Sequence, residues 1–126
     1  MAEHTERARV GWIDTDAGQR IHFTVAFRWV EIAELGLYRK LGLIHDGRGE
    51  YPRRQVEAEY LRALVFDDEV EIRIRVDEVG RTSVRFAWDV LHDGEVAITG
   101  AHTVVHIDPD GRPSPIEDRV RKLLTG

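Results

Sequence analysis

The sequence predicts an α+β domain in which an antiparallel sheet holds one long apolar helix. Three observations predict it. Residues from about Thr24 to Leu41 repeat apolar positions at helical spacing, and further apolar residues fill the other sides. The segments that follow alternate apolar and polar residues with a period of two. Between two of them stands Asp93-Gly94, the signature of a two-residue hairpin turn.

Taken in order, Arg7 to Ile13 reads as a short first strand ending at Asp14, and Ala17-Gly18-Gln19 as a turn. In the helical segment Ala26, Val30, Ala33, Leu37 and Leu41 recur three or four apart, while Phe27, Trp29, Ile32 and Tyr38 occupy other faces. A helix apolar all round is expected to be wrapped by protein. Thr24 is the expected N-cap and Gly42 the expected stop, since glycine accepts the left-handed backbone that ends a helix. His45 to Gly49 reads as a loop and Gln55 to Tyr60 as a strand. Val70, Ile72, Ile74 and Val76 then face one way, with Glu69, Glu71, Arg73 and Arg75 facing the other. Val84, Phe86, Trp88 and Val90 repeat the pattern after a Val79-Gly80-Arg81 turn. Glu95 to Ile107 continues as a long strand, Pro109-Asp110-Gly111 ends the sheet, and Ile116 to Leu124 forms a short terminal helix. No linker or internal repeat interrupts residues 1–126, so a single domain is expected.

Composition narrows the function. The net charge of −5 argues against nucleic acid as a partner, because a phosphate-binding protein carries a basic surplus. It still leaves room for an anionic ligand that needs only a few local cations. The chain has no cysteine, which removes disulfides, thiolate metal sites and a cysteine nucleophile together. Residues 1–9 are polar and charged, and no apolar run approaches the ~20 residues that cross a bilayer. The expectation is a soluble cytoplasmic protein without a membrane partner. His102 and His106 share a strand face, but four residues of strand span ~13 Å, too far for one metal ion, and no metal site is expected. No Gly-x-Ser-x-Gly elbow, phosphate loop or dinucleotide fingerprint is present.

Five segments in order resemble the 4-hydroxybenzoyl-CoA thioesterase family of hot-dog proteins. They are Trp12-Ile13-Asp14-Thr15-Asp16-Ala17-Gly18, Phe27-Arg28-Trp29-Val30-Glu31, Val56-Glu57-Ala58-Glu59-Tyr60-Leu61-Arg62, Val79-Gly80-Arg81-Thr82-Ser83-Val84 and Asp108-Pro109-Asp110-Gly111-Arg112-Pro113. The resemblance implies the hot-dog fold, about five strands around the long helix, and hydrolysis of an acyl thioester. The thioester would be carried by coenzyme A or by an acyl-carrier protein. It also implies a homodimer or homotetramer with sites where protomers meet. No resident cofactor is implied, coenzyme A being part of the substrate.

In that family the second acid of the motif is catalytic, which places the role on Asp16, as nucleophile or as the base for a water. Asp14 is expected to organise the turn through local hydrogen bonds. The oxyanion-binding N–H falls on Phe23, seven residues after the acid, where a helix N-terminus offers unpaired N–H groups and a positive dipole end. Thr24 and Trp29 are expected beside it, against the substrate. Phe23-Thr24 and Arg28-Trp29 are similar to a polyketide-releasing branch of these thioesterases, although that branch has Asn where Asp16 stands. His22 matches a histidine implicated in catalysis in some members if a residue is lost before Gly18 and regained before Phe27; otherwise it is a packed histidine. Val25 and Ala26 replace the family's Asn and Tyr, which points to a greasier pocket and a less polar acyl group. Glu31 is the second candidate carboxylate, since other hot-dog thioesterases draw a catalytic Glu from this helix. For Glu31 and Glu34 the other reading is a structural acid paired with an arginine. Arg81, Thr82 and Ser83 lie where the family contacts the coenzyme A nucleotide, and an arginine fork suits phosphate. Arg53, Arg54 and Arg62 could add positive charge or be solvated surface.

Two other functions fit the same residues. A non-catalytic hot-dog domain could bind acyl-CoA as a sensor, and a dehydratase of 3-hydroxyacyl thioesters could pair His22 with Asp16.

Overall fold

The computed structural model describes residues 1–44 and 50–126, so the loop expected at His45–Gly49 lies outside the described residues. Five strands form one antiparallel sheet: β1 (Glu3–Arg9), β2 (Arg53–Tyr60), β3 (Glu69–Val79), β4 (Ser83–His92) and β5 (Glu95–Val105). Their order across the sheet is β1-β3-β4-β5-β2, which leaves β1 and β2 as the edges. The long helix α1 (Val25–Lys40) lies on the inner face, and a short helix α2 (Asp118–Thr125) follows the sheet. This is the hot-dog arrangement.

Alternation decides which face of the sheet meets the helix. Val70, Ile72, Ile74 and Val76 of β3 and Val84, Phe86, Trp88 and Val90 of β4 are buried, all at 2% exposure or less. They pack under Ala26, Val30, Ala33 and Leu37 of α1, as the sequence periods require. The outer face carries cross-strand charge instead. Arg85 of β4 donates to Glu57 of β2 at 2.8 Å and to Asp77 of β3 at 3.2 Å. The turn between β4 and β5 is the expected two-residue hairpin, with Asp93 at φ 51° and Gly94 at φ 77°.

Glycine is needed at two close approaches. A Cβ on Gly100 of β5 would lie 2.4 Å from the Glu57 carbonyl oxygen and 2.4 Å from the Trp88 ring. A Cβ on Gly36 of α1 would meet His4 and Glu6, so this glycine lets the helix rest on β1.

Three features differ from the sequence expectation. The first strand spans Glu3–Arg9 rather than Arg7–Ile13, and Trp12–Asp14 form a 3-10 turn with Trp12 and Ile13 exposed. The terminal helix begins at Asp118, behind the buried Ile116. On α1, Ile32 and Leu35 remain 51% and 41% exposed, so one side of the apolar helix is uncovered in the single chain.

Candidate active site

The 3-10 turn delivers the chain to a small loop that carries both acids. Asp14 is buried, and its carboxylate accepts the Gly11 N–H at 2.8 Å and a hydrogen bond from Arg28 on the first turn of α1. It therefore ties the loop to the helix and to its own backbone, the organising role expected of it. Asp16 is exposed. Its N–H donates to the Arg20 carbonyl at 2.8 Å and its own carbonyl accepts from Gln19 at 2.9 Å, which closes the turn. Gln19 takes a left-handed backbone (φ 65°) to allow this. One carboxylate oxygen of Asp16 accepts the Gly18 N–H at 2.8 Å. No other hydrogen bond reaches that carboxylate among the described residues, so it keeps acceptor capacity to spare.

The loop returns along the sheet margin. Arg20 bridges Val65, and the Ile21 N–H donates to the Leu64 carbonyl at 3.0 Å. That pairing brings Asp16 beside the residues joining β2 to β3. Asp16, Ile21, Phe23, Tyr60, Leu61 and Leu64 line one opening of about 370 Å³. A second, wider hollow of about 1000 Å³ reaches Asp16 from the other side, walled by Trp12, Ile13, Val65 and Phe66. The carboxylate thus sits between two surfaces of mixed character, apolar side chains alternating with Arg20 on both and Arg62 on the first.

At the start of α1, Thr24 precedes the first helical residue but its side chain does not cap the helix. Its hydroxyl lies 2.8 Å from Nδ1 of His22, and the same ring nitrogen accepts the Thr24 N–H at 3.3 Å. The His22 carbonyl accepts the Val25 N–H at 3.0 Å. The Phe23 N–H donates to no acceptor among the described residues, whereas the Phe23 carbonyl accepts the Tyr60 hydroxyl. Burial raises the Tyr60 phenol above its ordinary value, so it remains a donor.

The remaining sequence candidates fall elsewhere. Trp29 is 4% exposed and belongs to the core, as do Val25 and Ala26. The apolar part of the opening therefore comes from Ile21, Phe23 and Leu61 rather than from Val25 and Ala26. Glu31 is exposed on α1. Arg81 and Thr82 lie in the turn between β3 and β4 and Ser83 begins β4; there the Arg81 carbonyl accepts the Ile116 N–H at 2.9 Å. That turn is at the far end of β3 from Asp16, and an 11-residue strand spans ~33 Å. Arg62 lines the opening and pairs with Glu95 at 2.7 Å.

Sequence reading singled out Glu31, yet Glu34 is the buried acid of α1. Its carboxylate accepts from Tyr38 at 2.6 Å and from Arg53 at 2.7 Å, and it meets Nε2 of His102 at 2.7 Å. Burial alone would raise the Glu34 carboxyl. The His102 hydrogen bond and the charges of His102 and Arg53 overcome that and hold it below its ordinary value. Glu34 lines none of the openings around Asp16, and the cluster joins α1, β2 and β5. His106 is held apart from it by the Ser114 and Pro115 carbonyls, each at 3.0 Å. No group of three metal-ligating side chains occurs among the described residues.

Comparison with known proteins agrees with this architecture. A curated relative from Aquifex aeolicus (strain VF5), named provisionally as an esterase, is 26% identical over 122 residues and covers 94% of each chain. A solved structure from Aquifex aeolicus superposes with a TM-score of 0.89 at 23% identity, over 95% of this chain and 98% of that one. A gentisyl-coenzyme A thioesterase superposes with a TM-score of 0.86 at 22% identity, covering 97% and 99%. A 1,4-dihydroxy-2-naphthoyl-CoA thioesterase from Synechocystis superposes at 0.88 with 12% identity, covering 98% and 96%. The sequence profile of the thioesterase-like superfamily matches residues 10–124, and the chain belongs to that superfamily.

Proposed function

We propose that the chain hydrolyses an acyl thioester carried by coenzyme A or an acyl-carrier protein, with Asp16 as its carboxylate. The observation that carries this is the shared opening: Asp16 and Phe23 line the same hollow, and the Phe23 N–H has no internal acceptor. Thioester cleavage needs an attacking group and a donor for the charge that develops on the carbonyl oxygen. Asp16 supplies the first, as nucleophile or as the base that deprotonates water. The Phe23 N–H, two residues before α1 and near its positive end, supplies the second. His22 and Thr24 flank that donor in sequence, and His22 Nε2 would be the ring nitrogen left for proton transfer, since Nδ1 is engaged by Thr24. Glu31 and Trp29 have no place in this opening within one protomer. The Asp16 motif favours the 4-hydroxybenzoyl-CoA branch of the superfamily, and the apolar part of the lining favours a less polar acyl group.

Arg81, Thr82 and Ser83 would hold the nucleotide of coenzyme A in a site completed between protomers, since ~33 Å of β3 separates them from their own Asp16. Exposed Val56, Tyr60 and Leu61 along the β2 edge, with Ile32 and Leu35 on α1, favour a homodimer or homotetramer. Sedimentation of a monomer at micromolar concentration would contradict this arrangement.

The test of the activity is thiol release by the purified chain against short, long and aromatic acyl-CoAs and acyl-carrier thioesters. Release from the apolar members supports the reading. Tight acyl-CoA binding without thiol release would make it a binding protein, and loss of water from a 3-hydroxyacyl thioester would make it a dehydratase.

A further inference from the structure

Tyr60, the last residue of edge strand β2, reaches 37 residues back in sequence to donate its hydroxyl to the Phe23 carbonyl. Phe23 lies between two peptide planes. The preceding plane carries the His22 carbonyl and the Phe23 N–H, and the Val25 N–H pins its carbonyl at 3.0 Å. The following plane carries the Phe23 carbonyl and the Thr24 N–H. Tyr60 holds its oxygen, and Nδ1 of His22 receives its N–H at 3.3 Å. Both planes are fixed, and the Phe23 N–H is the donor left over. From this geometry we infer that Tyr60 is a positioning residue: by holding the plane that follows Phe23 it limits rotation at Phe23 and so steadies the preceding plane, whose free N–H is set before substrate arrives.

The inference depends on the reading that the Phe23 N–H meets the thioester oxygen. Chemistry favours the assignment because preorganised donors owe their effect to costing no reorganisation at the moment of reaction. The Val25 N–H ties the plane carrying that donor only to its own local turn, so without Tyr60 the turn is tied to the sheet at one point fewer. Tyr60 ties the Phe23 carbonyl to β2 of the sheet, and its ring also lines the opening. The aromatic ring packs the wall while the hydroxyl does the aiming, so the two roles can be separated by removing one oxygen.

The experiment is Tyr60→Phe, assayed on whichever of benzoyl-CoA, hexanoyl-CoA and decanoyl-CoA the wild type cleaves fastest. Losing an oxyanion donor outright costs about 100-fold or more in kcat, so a loosened donor should cost roughly 10-fold. KM is expected to stay within about 2-fold, and Tm within a few degrees because Tyr60 is 44% exposed. Amide resonances of Phe23 and Thr24 should shift while those of the β3–β4 turn stay in place. Unchanged kcat overturns the inference. A rise in KM alone also overturns it, because the hydroxyl would then be touching substrate. So does a large fall in Tm that explains the lost activity, and Tyr60→Leu, which loses the ring as well, marks what such a packing loss looks like. Wild-type turnover by Asp16→Asn would refute the underlying site reading. An inactive Asp16→Asn with a fully active Tyr60→Phe would refute this inference alone.

Discussion

Replacing Glu34 by alanine should lower stability far more than replacing its neighbour Glu31. Glu34 is 5% exposed and His102 2% exposed, and the carboxylate is the acceptor for His102, Tyr38 and Arg53. Removing one partner of a buried ionic pair costs about 3–5 kcal/mol, because the other is left without compensation. Arg53 is the discount: its side chain is 34% exposed and can turn toward water, so the lower end, ~3 kcal/mol, is expected. At about 2.1 cal/mol/K of unfolding entropy per residue, 126 residues give ~0.26 kcal/mol/K, and Tm should fall by ~11 °C. Glu31 is exposed, and its substitution by alanine should stay within about 0.5 kcal/mol, or ~2 °C. Acid gives the same answer by another route. The folded Glu34 carboxyl is held below its ordinary 4.5, so its contribution is complete above that value. It disappears as pH falls through the lower folded value, and Glu34→Ala should lack that part of the acid-induced loss. The assay is thermal unfolding at fixed protein concentration, repeated across acid pH. A Glu34→Ala shift under about 3 °C, or one matched by Glu31→Ala, would refute the buried-cluster reasoning.

Three further outcomes follow from packing and turn geometry. Gly100→Ala should cost about 1–3 kcal/mol in denaturant unfolding, since the new Cβ meets backbone of β2 and the Trp88 ring. Gly94→Ala should cost about 1 kcal/mol by the same measurement, because an L side chain is strained at φ 77°. Asp14→Ala should lower Tm by several degrees, as the Gly11 N–H and Arg28 lose their acceptor. A stability of Asp14→Ala equal to wild type would deny it the organising role.

The sequence revealed α1, β3, β4 and their hairpin clearly, because each carries its period over many residues and the turn residues are specific. The first strand was displaced because its inward positions are His4, Glu6 and Ala8, which carry almost no apolar signal. Gly36 is what lets two polar side chains face the helix there. Val10, Trp12 and Ile13 look strand-like in composition, but only Val10 is buried. The structural arginine pairing offered for Glu34 is met by Arg53, but His102 lies 68 residues away and was not connected to it. Two local signals could have connected them. Glu34 shares a helix face with Val30, Ala33 and Leu37, and Tyr38 stands four residues on. On β5, His102 falls on the inward face with Ile98 and Val104, a place where a histidine needs a partner. Asp16 and Phe23 came from family resemblance, whereas Tyr60 could not, since its contact exists only once β2 is placed beside the start of α1.

The central claim is that Asp16 is the carboxylate of a thioesterase site, and one comparison tests it most directly. Thiol release is measured for wild type and Asp16→Asn on the same acyl-CoA, with Tm and acyl-CoA binding recorded for both. Asp16 is exposed, and Asn retains an oxygen that can accept the Gly18 N–H, so the fold should be unchanged. The account predicts matched Tm and binding, with kcat lower by roughly 100-fold or more, the scale of losing a group that acts in the transition state. Turnover by a well-folded Asp16→Asn within a few-fold of wild type would contradict it.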